Sequence, residues 1–324
     1  MNLFGCLKPQ LNDEEIINDK STSKRKWNVV KGFFIGQTIS IINASTYAMT
    51  NYLGQKSSSG TAIIQTISVY WSLPIILIFV SLKYGANSIV EFLKSVKWYY
   101  CLGITLCDIS ATFCLVIGIQ NTNILSSQLI SVCGIPFVMV LSYFILKRRF
   151  NLIQVFSAII ALSGFILVSI ADGQNGSSEL IGDLLCLIST ILYAIANTLQ
   201  EKTVNIISPF SSMNYIIILS VHAPLLSLPT LLLLFFFPFD FNISVIEITL
   251  LIAYPLLQVI IYASIAYIIL MTSAAFFNIS NLSSSIYGLI YDMILFNKYP
   301  SVLSVIGALL IILSVMLYSF IECF

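Results

Sequence analysis

Between Ile119 and Ser169 the chain reads IQNTNILSSQLISVCGIPFVMVLSYFILKRRFNLIQVFSAIIALSGFILVS. Two apolar runs of about 20 residues, each long enough to cross a bilayer as a helix, meet there on the basic triplet Lys147-Arg148-Arg149. Sliding the chain along itself by 150 positions brings up a second copy: Thr122 meets Thr272, Arg148 meets Lys298, Val155 meets Val305, Ala158 meets Ala308, Leu167 meets Leu317 and Ser169 meets Ser319. One spacing held across two consecutive runs is how duplicated transporter halves look in sequence.

Composition agrees. Charged residues make up 9% against about 25% in soluble domains, and apolar types reach 58%, so the solvent of this chain is the lipid bilayer. Its 324 residues accommodate two units of roughly 150. A net charge of +1 with no basic domain gives nucleic acid nothing to bind. The seven cysteines, at 6, 101, 107, 114, 133, 186 and 323, form no CxxC pair and mostly lie inside apolar runs, which indicates neither a disulfide framework nor a zinc site.

The predicted fold is all-α, with ten transmembrane helices over 28–51, 61–83, 98–119, 123–146, 151–171, 180–201, 212–237, 244–269, 271–296 and 301–321. Residues 1–27 read as a polar cytoplasmic tail ending in Lys24-Arg25-Lys26; no cleavable leader precedes it, so the first span is expected to serve as the targeting signal. Residues 28–171 form the first five-helix repeat, 172–179 a non-cytoplasmic connecting loop and 180–321 the second repeat. With the N-terminus in the cytosol, Lys8, Lys20, Lys24, Arg25, Lys26, Lys31, Lys83, Lys94, Lys97, Lys147, Arg148, Arg149 and Lys202 fall inside and only Lys56 and Lys298 outside, which puts both termini in the cytosol. Five spans per half make the two repeats inverted, with a solute site expected between them near the midplane.

Polar residues recur at steps of three and four inside the spans and so share helix faces. The ninth span has Asn278, Asn281, Ser285, Gly288 and Asp292, and the fourth has Gln128 and Ser131 at the positions matching the two asparagines. The sixth has Asp183, Cys186, Thr190, Tyr193, Asn197 and Glu201; the first has Gln37, Ser40, Ala44, Tyr47 and Asn51. Thr61, Gln65, Ser68 and Ser72 mark the second span, and Thr105, Asp108 and Thr112 the third. Helix-to-helix hydrogen bonding, at about 0.6 kcal/mol per bond, explains any one of these residues. Six striped helices are more than packing requires and point to a cavity.

Asp108, near the middle of its span, is the first candidate for solute contact or proton coupling; an aspartate bonded only to a neighbouring helix is the alternative. His222, the single histidine, is a second coupling candidate, against a plain packing role. Ser157 with Ala161 and Ser304 with Ala308 are small-xxx-small pairs that bring helices together inside the bundle or in a homodimer. Asn175-Gly-Ser and Asn242-Ile-Ser are sequons in short loops. No nucleophile–base pair, phosphate-cradling loop or metal-ligand cluster is present, which argues against an enzyme, a cofactor or a metal site.

Laid out in this way, residues 31–319 resemble the drug/metabolite transporter superfamily and, more narrowly, the F-type branch of solute carrier family 35. The likeness is carried by Gly36-Gln37-x-x-Ser40, Thr61 with Gln65, Asp108 with Ala111, Gln120, Thr122, Ser126, Gln128-Leu129, Pro136 and Leu141-Ser142. In the second half it rests on Gly182-Asp183-Leu184-Leu185, Tyr193, Asn197, Glu201, Thr272-Ser273-Ala274, Asn278, Ser280 and Tyr287. Ser110, Thr112 and Ile117 stand where the family pattern tends to an acid, an asparagine and a lysine, and Ser131 and Ser285 where aspartates are usual. The resemblance implies two inverted five-helix repeats around a central cavity and adds Tyr287 to the solute-binding set of Gln37, Ser40, Gln65, Asp108, Gln128, Tyr193, Asn197, Asn278 and Asn281.

The expected activity is alternating-access transport of a small polar organic solute, nucleoside- or nucleobase-like, in the plasma membrane or an endomembrane of the Golgi or ER. Amides, hydroxyls and tyrosines suit base edges, whereas di- and triphosphates require Arg or Lys clamps. A nucleotide-sugar antiporter and a non-transporting membrane receptor or scaffold are the alternatives.

Overall fold

Prolines decide where the long apolar runs bend, because each removes a backbone donor and crowds the preceding turn. The computed structural model describes residues 13–56, 60–147, 150–173, 177–204, 213–236, 239, 243–271 and 283–323. Among them every regular element is helical.

Helix α1 spans Asp13–Lys56, so it reaches back into the segment expected as a tail. The second span is two pieces, α2 (Thr61–Ser72) and α3 (Pro74–Tyr84), with Pro74 opening α3, where a missing donor is tolerated. Helix α4 (Ala86–Ser95), not anticipated from sequence, buries Ile89 and Phe92 and turns its other faces outward. Helix α5 covers Trp98–Asn121. The fourth span divides into α6 (Ile124–Val132) and α7 (Gly134–Leu146), parted at Cys133 three residues before Pro136. Next come α8 (Leu152–Gly173), α9 (Ser177–Val204) and α10 (Asn214–Leu226), the last with Pro224 inside it. A 3-10 segment, Leu228–Phe235, continues α10 at a bend of 42°. Helices α11 (Val245–Met271), α12 (Ser283–Leu295) and α13 (Val302–Cys323) complete the chain.

Among the described residues, five segments are long and apolar enough to cross a membrane: Thr61–Tyr84, Trp98–Asn121, Ile124–Ile145, Glu179–Gln200 and Val245–Ser264. The bent pair around Ser227 makes a sixth if it is one span, and shorter apolar stretches cover Leu152–Val168 and Val302–Ser314. Helix α1 is not among them, since Gln37, Thr38, Ser40, Asn43, Ser45, Thr46, Thr50 and Asn51 lower its hydropathy. The first half of the ninth expected span, 272–282, and both sequons lie outside the described residues.

Helix pairing is consistent with two halves related by a two-fold axis. Helix α2 packs on α11 and, correspondingly, α10 on α5; α1 packs on α11 and α9 on α5; α2 meets α10, α6 meets α12 and α8 meets α13. Pro74 and Pro224 themselves stand 150 positions apart, so the two interrupted spans occupy equivalent places in the proposed halves. Glycine makes the α8–α13 crossing close: a Cβ on Gly164 would lie 2.7 Å from the Gly307 carbonyl oxygen, and one on Gly307 would lie 2.7 Å from that of Gly164. Ser157, Ala161 and Ser304 are buried, with Ala161 and Ala308 packed around Leu125, Leu129, Val168 and Ile311. These small residues therefore serve packing within the chain.

Candidate functional site

Asp108 on α5 is the only carboxylate in the middle of a described span that is held by tyrosines. Its Oδ1 accepts from Tyr70 Oη of α2 at 2.7 Å, and its Oδ2 accepts from Tyr215 Oη of α10. From Tyr70 the contacts continue to Thr112 Oγ1 at 2.5 Å, and from there to Tyr193 Oη of α9 at 2.7 Å. Four helices thus converge on one buried acid, next to the interruption at Leu73. Sequence patterning marks Asp108, Thr112 and Tyr193 but misses Tyr70 and Tyr215.

A second cluster joins α1 to α12. Gln37 Nε2 donates to Ser283 Oγ at 3.0 Å, and Tyr287 Oη donates to Gln37 Oε1 at 3.3 Å. Two to three turns along α1, Ser45 lies 2.9 Å from Tyr291 Oη, and Tyr47 Oη lies 3.1 Å from Ser131 of α6. Gln128, also on α6, is 2% exposed, and neither its Oε1 nor its Nε2 has a hydrogen-bond partner among the described residues. Its amide rests on Gly288 of α12, where any Cβ would collide with it. Ser285, one turn earlier on α12, is equally buried and its hydroxyl is also unbonded among the described residues. A buried amide without partners costs roughly 1 to 3 kcal/mol, so this contact between α6 and α12 carries polar groups that a polar ligand could satisfy.

Other expected residues go elsewhere. Ser40 bonds back to Gly36 O at 2.9 Å, along its own helix. Gln65 is fully buried between Thr50 and Gln120, donating to the first at 3.2 Å and accepting from the second at 3.2 Å. His222 is partly buried with Nδ1 2.9 Å from its own helix's Ile218 O, away from the Asp108 cluster. Asn197 is exposed, although it shares a face of α9 with buried Asp183, Cys186 and Thr190, opposite the outward Ile181, Leu184 and Ile188. Asn278 and Asn281 lie outside the described residues.

The end of the bundle bearing Asn51 and Lys298 is tied shut. Asn51 Nδ2 donates to the carbonyls of Ile119 and Thr122 at 2.8 and 2.7 Å, and Thr122 Oγ1 donates to Asp183 Oδ1 at 2.7 Å. Asp292 of α12 accepts from the backbone amides of Ile124 and Leu125 at 3.2 and 2.8 Å, capping α6 from outside. Lys298 pairs with Glu179 at 3.0 Å beside a cavity of about 240 Å³ that Asn123, Ser126 and Asp292 also line. Sequence places Asp292 in the polar stripe of the ninth span; the structure buries it as a cap.

With this geometry in place, comparison with known proteins is informative. The family model for the F-type solute carrier family 35 matches residues 25–320. Solute carrier family 35 member F2 of Mus musculus is 27% identical over 304 residues, covering 90% of this chain and 79% of that protein. The Xenopus tropicalis member F2 is 25% identical over 311 residues, covering 88% and 75%. A crystal structure of a protein 14% identical in sequence superposes with a TM-score of 0.59, over 90% of this chain and 97% of the other, and shows a shared fold. The chain belongs to solute carrier family 35, F-type, and is by that membership a multi-pass membrane transporter rather than an enzyme.

Proposed function

We propose that the protein moves a small, uncharged polar solute of nucleoside or nucleobase type by alternating access of its two five-helix halves. The observation that carries this reading is the contact between α6 and α12, where the Gln128 amide and the Ser285 hydroxyl are buried without partners among the described residues. An amide that both donates and accepts suits a base edge, and Gln37 with Tyr287 borders the same pair of helices. Among the described residues no lysine or arginine is buried, so a polyphosphate would find no clamp here. Asn278, Asn281 and Asn197 are further candidates for solute contact. The distribution of basic residues supports cytoplasmic termini.

The test is uptake of labelled nucleosides into proteoliposomes holding the full chain. Gln128→Leu is expected to reduce uptake about tenfold, as one lost hydrogen bond in a buried site does. Uptake unchanged in Gln128→Leu removes the α6–α12 contact as the site, and exchange driven by a trapped nucleoside monophosphate would instead establish the nucleotide-sugar antiporter. Absence of any uptake leaves the receptor or scaffold reading.

A further inference from the structure

The hydroxyls beside Asp108 form a line. Buried threonines of this bundle ordinarily bond back to their own helix: Thr66 to Ala62 O at 2.8 Å, Thr105 to Cys101 O at 2.7 Å, Thr190 to Cys186 O at 2.8 Å and Thr198 to Ala194 O at 2.7 Å. Thr112 instead sits between two tyrosine hydroxyls, 2.5 Å from Tyr70 and 2.7 Å from Tyr193. Tyr70 in turn donates to Asp108 Oδ1 at 2.7 Å. Each of the three hydroxyls donates one hydrogen and can accept another, so the line can pass a proton along without moving its heavy atoms far. Exposure rises along it, from 0% at Asp108 and Tyr70, through 5% at Thr112, to partly buried Tyr193, with exposed Asn197 one turn further on α9.

The line also lies where a membrane carrier flexes. Tyr70 precedes the Pro74 interruption of α2 and α3, and Ser220, one turn before Pro224 on α10, donates to the Leu73 carbonyl at 3.2 Å. Interrupted spans at matching places in two halves are where coupling ions are held in such carriers. The titratable groups facing Asp108 are Tyr70 from α2, Tyr215 from α10, Tyr193 from α9, Tyr262 from α11 and Cys107 on its own helix. No described cation or second carboxylate is among them.

We propose that Asp108 binds the proton that drives transport and that Tyr193, Thr112 and Tyr70 deliver it, an inference that rests on the transporter reading above. On loading, a proton taken up at Tyr193 displaces that hydroxyl's own onto Thr112, Thr112 passes its proton to Tyr70, and Tyr70 passes its proton to the Asp108 carboxylate. Every hydroxyl ends as it began and the carboxylate ends neutral. Tyr215, on the opposite oxygen, positions the acid.

The experiment uses the full chain in proteoliposomes, with labelled uridine and adenosine outside and a pH dye trapped inside. An inward proton gradient is expected to accelerate uptake, and the dye to report acidification only when nucleoside is present. The readout is the ratio of gradient-driven uptake to exchange without a gradient: Thr112→Val lowers it about a hundredfold, the lower end of what a positioned proton-transfer group contributes, and Thr112→Ser restores it. Equal ratios in wild type and Thr112→Val overturn the proposal while leaving the solute reading intact. Should neither nucleoside be transported, infrared difference spectra after an acid jump decide: a carboxyl band is expected that Asp108→Asn abolishes and that Thr112→Val, not Thr112→Ser, slows. A spectrum unaffected by Asp108→Asn overturns the proposal.

Discussion

Gln65 and Gln128 carry the same side chain on the same kind of polar stripe, and the fold treats them oppositely. Gln65 is closed into a chain with Thr50 and Gln120, while Gln128 is left bare against Gly288. Gly288→Ala is expected to abolish nucleoside uptake, because a methyl group there displaces the Gln128 amide; Gly288→Ala combined with Gln128→Ser, which makes room, is expected to recover the folded yield though not the uptake. Size-exclusion profiles beside uptake assays separate the two effects. Helical spacing could mark both glutamines, since it reports which face a residue occupies. Which of the two finds a partner depends on residues 15 to 160 positions away, on other helices, and no local pattern encodes that. Tyr70 and Tyr215 are illegible for a related reason: in a chain with 16 tyrosines, a phenol that grips a carboxylate reads like one that fills a core.

Among the elements, the spans legible from apolar length were placed within a few residues, and their interruptions were not. The information was present in the repeat: the offset that aligns Val155 with Val305 also aligns Pro74 with Pro224. A search guided by polar stripes passes over prolines. Replacing both by alanine is expected to straighten the two spans, raise the melting temperature and reduce uptake severalfold, measured by thermal denaturation and by transport in the same vesicles. Gly164→Leu is expected to push α8 from α13 at a cost of about 1 to 3 kcal/mol, seen as a lower melting temperature. Amphipathic α4 went unseen because its ten residues fall between two apolar runs and are too short to register as a period of their own.

For the molecule as a whole, the fastened end implies that moving a solute requires the ties at Asn51, Asp183 and Glu179 to release. The Glu179–Lys298 pair is partly exposed, 16% and 36%, so it contributes at most about 1 kcal/mol. That is enough to shift a two-state balance severalfold. Lys298→Glu is expected to favour the form open at that end, and the exchanged pair Glu179→Lys with Lys298→Glu to restore it, read as labelling of a cysteine introduced at Ser126. Asp292 has a mechanical consequence. Because its carboxylate grips the first two amides of α6, a tilt of α12 drags α6 along, and the two behave as a yoke across the proposed halves. Asp292→Ala should uncouple them, costing about 2 kcal/mol in stability and leaving each half free to swing without the other. The place where the carrier bends is therefore to be sought away from that joint, among the interrupted spans.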